Sequence, residues 1–286
     1  PFGDITKEST KNKIPKDFDI LCAGFPCQAF SLAGKRLGFE ETRGTLFFDV
    51  AEILRRYQPK AFFLENVKGL VIHDKGRTFK TILNTLEEVG YVVPDPQIVN
   101  AMFFGVPQHR ERIYIVGFRK DLGIKKDDFS YPEQKEVTKK WIDVREENPV
   151  PAKYYLSTTY IETLKRHKAR HEAKGNGFGY DIIPDDGIAH AIVVGGMGRE
   201  SNLVIDFRQT DLTPTTRIKG EVNRQGWRKM TPREWARLQG YPDNFRIVVA
   251  DASAYKQFGN SVAVPAIQAT AKQLLKTLND KNILKI

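Results

Sequence analysis

At 286 residues, 41% hydrophobic and 28% charged, the chain has an ordinary folded composition and length enough for one large domain or a large one with a smaller companion. Disordered and collagen-like compositions are excluded, no apolar run approaches the roughly 18 to 20 residues that cross a bilayer, and the N-terminal residues carry neither an apolar signal core nor a cleavage site, so a cytoplasmic location is expected. Lysine and arginine number 45 against 35 aspartate and glutamate, a formal net charge of +10. That excess suits a polyanionic partner such as nucleic acid; on its own it equally describes a merely basic soluble protein.

In chain order, Asp19–Gly24 is a short apolar run ending in glycine, and Lys60–Val67 is a second, rich in aromatic residues. Both read as buried parallel strands. Between them Leu46–Tyr57 places Leu46, Phe47, Val50, Ile53 and Leu54 at helical spacing, and Thr78–Val89 repeats the pattern with Phe79, Ile82, Leu83 and Leu86. Apolar segments at Tyr91–Ala101 and Arg112–Phe118 complete a doubly wound α/β expectation for the first 120 residues, with ligands at the carboxyl ends of the strands. From about Arg119 the sequence turns charged and proline-containing, and Glu146–Pro151 reads as a linker. Residues 157–174 read as a basic helix with Ser157 as N-cap, followed by glycine-rich loops and β-prone segments up to Trp227. Val262–Leu278 reads as a closing helix whose Pro265 falls in the first turn.

Only two cysteines occur, Cys22 and Cys27, with four residues between them and matching no common zinc pattern. No metal site is expected. Cys22 lies inside a predicted strand and reads as an inert buried residue. Cys27 follows Pro26 directly after that strand, in a loop of small and polar residues, where a thiolate could attack an electrophilic carbon. Glu65 ends the next strand, so a parallel sheet brings its carboxylate to the same edge. Gln108-His109-Arg110-Glu111-Arg112 opens a later strand in which alternation sends Gln108, Arg110 and Arg112 to one side. Taken singly, Glu65 reads equally as a helix-capping acid and the arginines as a solvated face.

Six blocks in this order and spacing resemble the cytosine-5 DNA methyltransferases of bacterial restriction–modification systems, and the resemblance covers nearly the whole chain. They are Gly3-Asp4-Ile5, Gly24–Ser31, Glu65-Asn66-Val67, Gln108–Arg112, Arg228–Pro242 and Phe258–Val262. The resemblance implies an S-adenosylmethionine-dependent Rossmann-like sheet with a smaller, mostly β or irregular target-recognition domain. The expected boundaries are 1–145 for the catalytic domain, 146–252 for target recognition and 253–286 for a segment returning to the first.

By resemblance, Cys27 adds to C6 of cytosine, Glu65 binds the N3 edge, and Arg110 and Arg112 hold the base and position the carboxylate. Asp4, Ile5, Pro26, Leu46, Asn260 and Val262 line the site of the methyl donor, S-adenosylmethionine. Double-stranded DNA is the partner, its target base is flipped out, and the segment Gln28–Thr45, with hinges at Gly34, Gly38 and Gly44, closes over it. Gln28, Ser31, Arg43, Arg199 and Arg217 are the candidate DNA contacts. Gly175–Tyr180 follows a basic helix and not a strand, which argues for a DNA-facing turn and against a nucleotide-binding glycine loop.

The family normally opens with a strand, a Phe-x-Gly-x-Gly loop and an acidic residue for the donor's ribose, none of which is found in this sequence. The expectation is therefore a truncated enzyme, or one part of a split enzyme completed by an N-terminal polypeptide, inactive as this chain alone and a monomer when complete. Two other functions stay open at this point: a transfer RNA cytosine-5 methyltransferase using the same chemistry, and a noncatalytic DNA-binding homologue.

Overall fold

The computed structural model describes residues 3–26, 46–195, 198–214 and 220–284. In chain order its elements are α1 (Glu8–Lys11), β1 (Ile20–Gly24), α2 (Leu46–Tyr57), β2 (Ala61–Val67), α3 (Arg77–Glu88), β3 (Tyr91–Val92), β4 (Gln97–Asn100), β5 (Gln108–His109), β6 (Glu111–Arg119), α4 (Thr158–Glu172), β7 (Ala189–His190), β8 (Leu203–Ile205), β9 (Trp227–Lys229), α5 (Pro232–Leu238), α6 (Asp251–Asn260) and α7 (Val264–Asp280). Two compact units emerge. The first comprises residues up to Val99, Glu111–Glu133 and the chain from Ala269; the second comprises Asn100–Arg110 and Gln134–Gln268.

The first unit is a mixed sheet of order β1-β2-β6-β3, with β4 also on β6. Strands β1 and β2 are parallel, as their apolar runs predict, and Gly24 pairs with Glu65 at the carboxyl end. Strand β6 instead runs antiparallel to β2 and β3. No α-helix lies between β4 and β6, and without a long crossover a returning strand meets its neighbours antiparallel.

Register fixes the two faces of β2. Phe62, Leu64 and Asn66 share one with Gly117, Ile115 and Ile113; Phe63, Glu65 and Val67 share the other with Val116, Tyr114 and Arg112. The first face packs on α2 and α3 through Phe47, Ala51, Leu54, Ile82 and Leu86. Gly117 is required there, because a Cβ would lie 2.3 Å from the Phe62 ring. On the second face Phe63 meets Tyr114 edge-on at 5.1 Å, and the Tyr131 hydroxyl donates to the Tyr114 carbonyl at 2.9 Å. Burial on both faces explains why β2 reads as a continuous apolar run. The N-terminal segment is pinned to α2 by the Lys11 ammonium, 2.7 Å from Asp49, and by the Tyr57 hydroxyl on the Lys11 carbonyl at 2.7 Å.

The second unit has strands of only two or three residues, and its order comes from a core around Trp141, Trp235, Ile192 and Phe258 and from buried polar bonds. The residues expected to form a linker are instead part of this unit: Val150 is buried, and the Glu146 amide donates to Glu234 at 3.1 Å. Helix α4 begins after Ser157, whose hydroxyl accepts from the Tyr160 amide at 3.2 Å. In α5, Thr231 and Glu234 form a reciprocal capping box with Pro232 at the first turn. Among the described residues no helix is long and apolar enough to cross a membrane, and no three His, Cys, Asp or Glu side chains converge as a metal site.

Candidate active site

In the first unit Glu65 sits at the carboxyl end of β2, opposite Gly24 of β1. Arg112 stands across from Val67, one diagonal step from Glu65 on the same face. Its Nε lies 2.9 Å from Glu65 Oε1, with the two side chains 15% and 17% exposed. A second donor, Nη1, reaches the Glu111 carbonyl at 2.9 Å. The guanidinium is thus anchored at two points and presents a fixed cation to a largely desolvated carboxylate. Such a pair can hold a carboxyl group in one orientation while charge changes on a bound ring.

Asn66 points to the opposite face and is buried. Its amide donates to the Phe25 carbonyl at 2.6 Å, and its Oδ1 accepts from the Val67 amide at 2.8 Å. One side chain therefore ties the end of β2 to the backbone immediately preceding Pro26 and Cys27. The sequence reading passed over Asn66; its signal was an amide on the buried face of an otherwise apolar strand, which must find partners.

Cys27, Gln28, Ser31, Arg43 and Arg217, and the proposed closing segment Gln28–Thr45 up to its last residue, lie outside the described residues. Cys22 departs from expectation. It is exposed, being on β1, the end strand of the described sheet path, and partial desolvation raises its thiol pKa, which keeps it in the weakly nucleophilic thiol form.

Arg110 and Gln108 take different partners from Arg112. The Arg110 guanidinium is buried in the second unit and donates to the carbonyls of Ile192 at 3.0 Å and Ser261 at 2.7 Å. Gln108 donates to the Leu238 carbonyl at 2.8 Å and accepts from the Ile192 amide at 3.0 Å. The strand breaks at Arg110, between β5 and β6, so simple alternation does not extend from Gln108 to Arg112. Gln239 adds a bond to the Phe258 carbonyl at 2.9 Å, and Tyr241 meets the Ser261 hydroxyl at 2.5 Å. Within the second unit, these contacts knit the Gln108–Arg110, Arg228–Pro242 and Phe258–Val262 blocks together.

At the centre of the Arg228–Pro242 block, Arg228 is fully buried, bidentate to Glu234 at 2.8 Å for both bonds and 3.0 Å from Asp206. Burial pushes the Asp206 pKa up, but hydrogen bonds from Arg208 and the Arg228 charge outweigh it and bring it down to about 2.

The expected donor-site residues are placed unit by unit. Asp4 is exposed; its Oδ1 accepts from the Thr6 amide at 3.0 Å and hydroxyl at 2.9 Å, which lowers its pKa. Among the described residues Oδ2 has no partner, which leaves it open as an acceptor. Ile5 and Leu46 are half-buried, and Pro26 is exposed after buried Phe25. In the second unit Asn260 is exposed at the end of α6 and Val262 is half-buried. Arg199 is exposed, its guanidinium 5.4 Å over the Tyr255 ring.

The sequence profile of the family described as C-5 cytosine-specific DNA methylase matches residues 1–276. The chain belongs to this family. The type II methyltransferase M.HpaII of Haemophilus parainfluenzae is 74% identical over 281 residues, covering 98% of this chain and 78% of the relative. M1.ScrFI of Lactococcus lactis subsp. cremoris is 46% identical, covering 97% and 67% respectively. Among solved structures, the methylase fold recurs in S. pombe Dnmt2 methyltransferase (TM-score 0.62, 18% identity, 91% of this chain and 78% of that one). It recurs again in a prophage-encoded DNA modification methyltransferase of E. coli (TM-score 0.56, 20% identity, 94% and 81%).

Proposed function

We propose that this DNA cytosine-5 methyltransferase acts on a cytosine extruded from duplex DNA through a covalent Cys27–C6 adduct. The observation that carries the reading is the anchored Glu65–Arg112 pair, at the end of the strand parallel to the one that leads into Pro26 and Cys27. The thiolate of Cys27 adds to C6, which makes C5 nucleophilic. Glu65 engages the N3 edge and offsets charge developing on the ring, while Arg112 holds the carboxyl group in place. Bound S-adenosylmethionine supplies the methyl that C5 accepts. Loss of the C5 proton then expels the Cys27 thiolate and restores the ring. Extruding the base costs a few kcal/mol, offset by pocket and phosphate contacts.

The residues fit the donor's adenosine side: the Asp4 carboxylate is an acceptor for an amine, with Pro26 and Leu46 as apolar surface in the same unit. By the family resemblance alone, Asn260 and Val262 of the second unit are also assigned to the donor. Arg110, consumed by two backbone carbonyls, is assigned a positioning role within the second unit. That unit is assigned target recognition, with Arg199 among its DNA contacts.

The test is covalent trapping on duplex DNA containing 5-fluorocytosine in place of cytosine. The complete enzyme is expected to form a denaturation-resistant adduct with it that Cys27→Ser abolishes. An adduct that survives in the serine variant would place the nucleophile elsewhere. Methyl transfer to transfer RNA in preference to duplex DNA would overturn the substrate assignment.

A further inference from the structure

The second unit carries an aromatic side chain that packing does not explain. Phe178 is 68% exposed, and among the described residues its ring meets that of His171 edge-on, at 5.8 Å and 82°. A single exposed phenylalanine is unremarkable on most surfaces, but this one stands on a loop held at both ends. The α4 terminus closes with Gly175 in the left-handed region at φ +70°, its amide on the Glu172 carbonyl at 2.9 Å and the Asn176 amide on the His171 carbonyl at 2.9 Å. On the far side Tyr180 stacks 5.1 Å from Trp227, and the Asp181 amide donates to the Glu200 carbonyl at 3.0 Å.

Gly179 is clamped against α4 so closely that a Cβ there would lie 2.9 Å from Lys168 Cγ. The backbone is therefore fixed by contacts on either side of Phe178, while the ring faces solvent.

The surroundings match a nucleic acid. Arg170 and Lys174 beside the loop are exposed and have no carboxylate partner among the described residues. Burial, with His167, Arg170 and Lys174 nearby, pushes the His171 pKa down, and its ring supports Phe178 edge-on. An open depression of about 350 Å³ adjoins the ring, lined by Lys168 and by the carboxylates Glu172 and Asp181, the latter paired with His190 at 2.7 Å, as polar groups for a base edge. An exposed aromatic on a held loop, beside a helix end that carries unpaired cations, is the arrangement that stacks on bases next to a backbone held by charge.

We propose that Phe178 is a specificity-determining residue that stacks on a base of the target duplex, with Arg170 and Lys174 holding the adjoining phosphates. This rests on the assignment of the second unit to target recognition. Extruding the substrate cytosine already disturbs base stacking, which lowers the cost of admitting a ring next to a neighbouring base.

The experiment uses duplexes bearing the sequence that the wild-type protein methylates, found by sequencing its methylated products. Phe178→Ala is expected to raise Kd for that duplex about tenfold or more, the size of one base–aromatic stack, with non-specific duplex bound as before. Phe178→Trp is expected to restore it. Arg170→Gln and Lys174→Gln are each expected to weaken both duplexes and lower the salt dependence by about one counterion. Irradiated duplex with 5-iodouracil across the site is expected to cross-link to Phe178. Unchanged specific binding in Phe178→Ala, or cross-links confined to other segments while wild-type methylation proceeds, would overturn the inference and leave the enzymatic assignment standing. Absence of duplex methylation by the complete wild-type enzyme would overturn the enzymatic assignment itself.

Discussion

Replacing Asn66 tests whether the end of β2 governs chemistry performed on the neighbouring loop. The side chain makes two bonds, to the Phe25 carbonyl at 2.6 Å and from the Val67 amide at 2.8 Å, and is buried. Alanine removes both and strands the Phe25 carbonyl, a loss of about 1–3 kcal/mol. Aspartate is the sharper probe, since it can still accept from Val67 but sets a carboxylate against the Phe25 carbonyl. Because Phe25 leads through Pro26 to Cys27, a shift of about 1 Å in that backbone should cost about 10²-fold in kcat. Steady-state and single-turnover methyl transfer separate the effects: kcat should fall in both variants with KM for DNA little altered, and urea unfolding should report the stability loss. If Asn66→Asp keeps kcat within about twofold, the reasoning fails, because the bond would then be structural ornament and not a positioning device.

Arg112→Ala should lower kcat/KM about 10²-fold, and adding Glu65→Gln should cost little more than the worse single change, because the two act as one unit; additive losses in a double-mutant cycle would contradict this. Arg228→Met leaves Glu234 as a buried charge with no cation and Asp206 with Arg208 alone, and should destabilise the protein by about 3–5 kcal/mol in urea unfolding. Adding Asp206→Asn and Glu234→Gln should restore part of that loss. With a folded pKa of about 2 against an ordinary 3.8, Asp206 contributes stability that is present above about pH 4 and lost as pH falls toward 2. Asp206→Asn should therefore flatten acid unfolding in that window, and an unchanged acid limb would refute the assignment.

The alternation of apolar strands and amphipathic helices through residue 100 was legible because each element carries its own periodicity, and α2, α3, α4 and α7 begin within two residues of the positions their patterns indicate. Glu65 stood out only in company: taken singly it reads equally as a capping acid, and the ordered set of family blocks singled it out. The reversal of β6 was not legible, since apolar content reports burial and not direction. Nor was the separation of Arg110 from Arg112, two residues apart in one motif, because a single break in the strand sends the first to buried carbonyls and leaves the second on Glu65. Asn66 and Phe178 show the same limit from opposite sides. Sequence supplies a polar residue in a buried strand and an aromatic residue in a glycine-rich loop, but which partner the amide finds, and that the ring finds almost none, depends on long-range packing that no local pattern encodes.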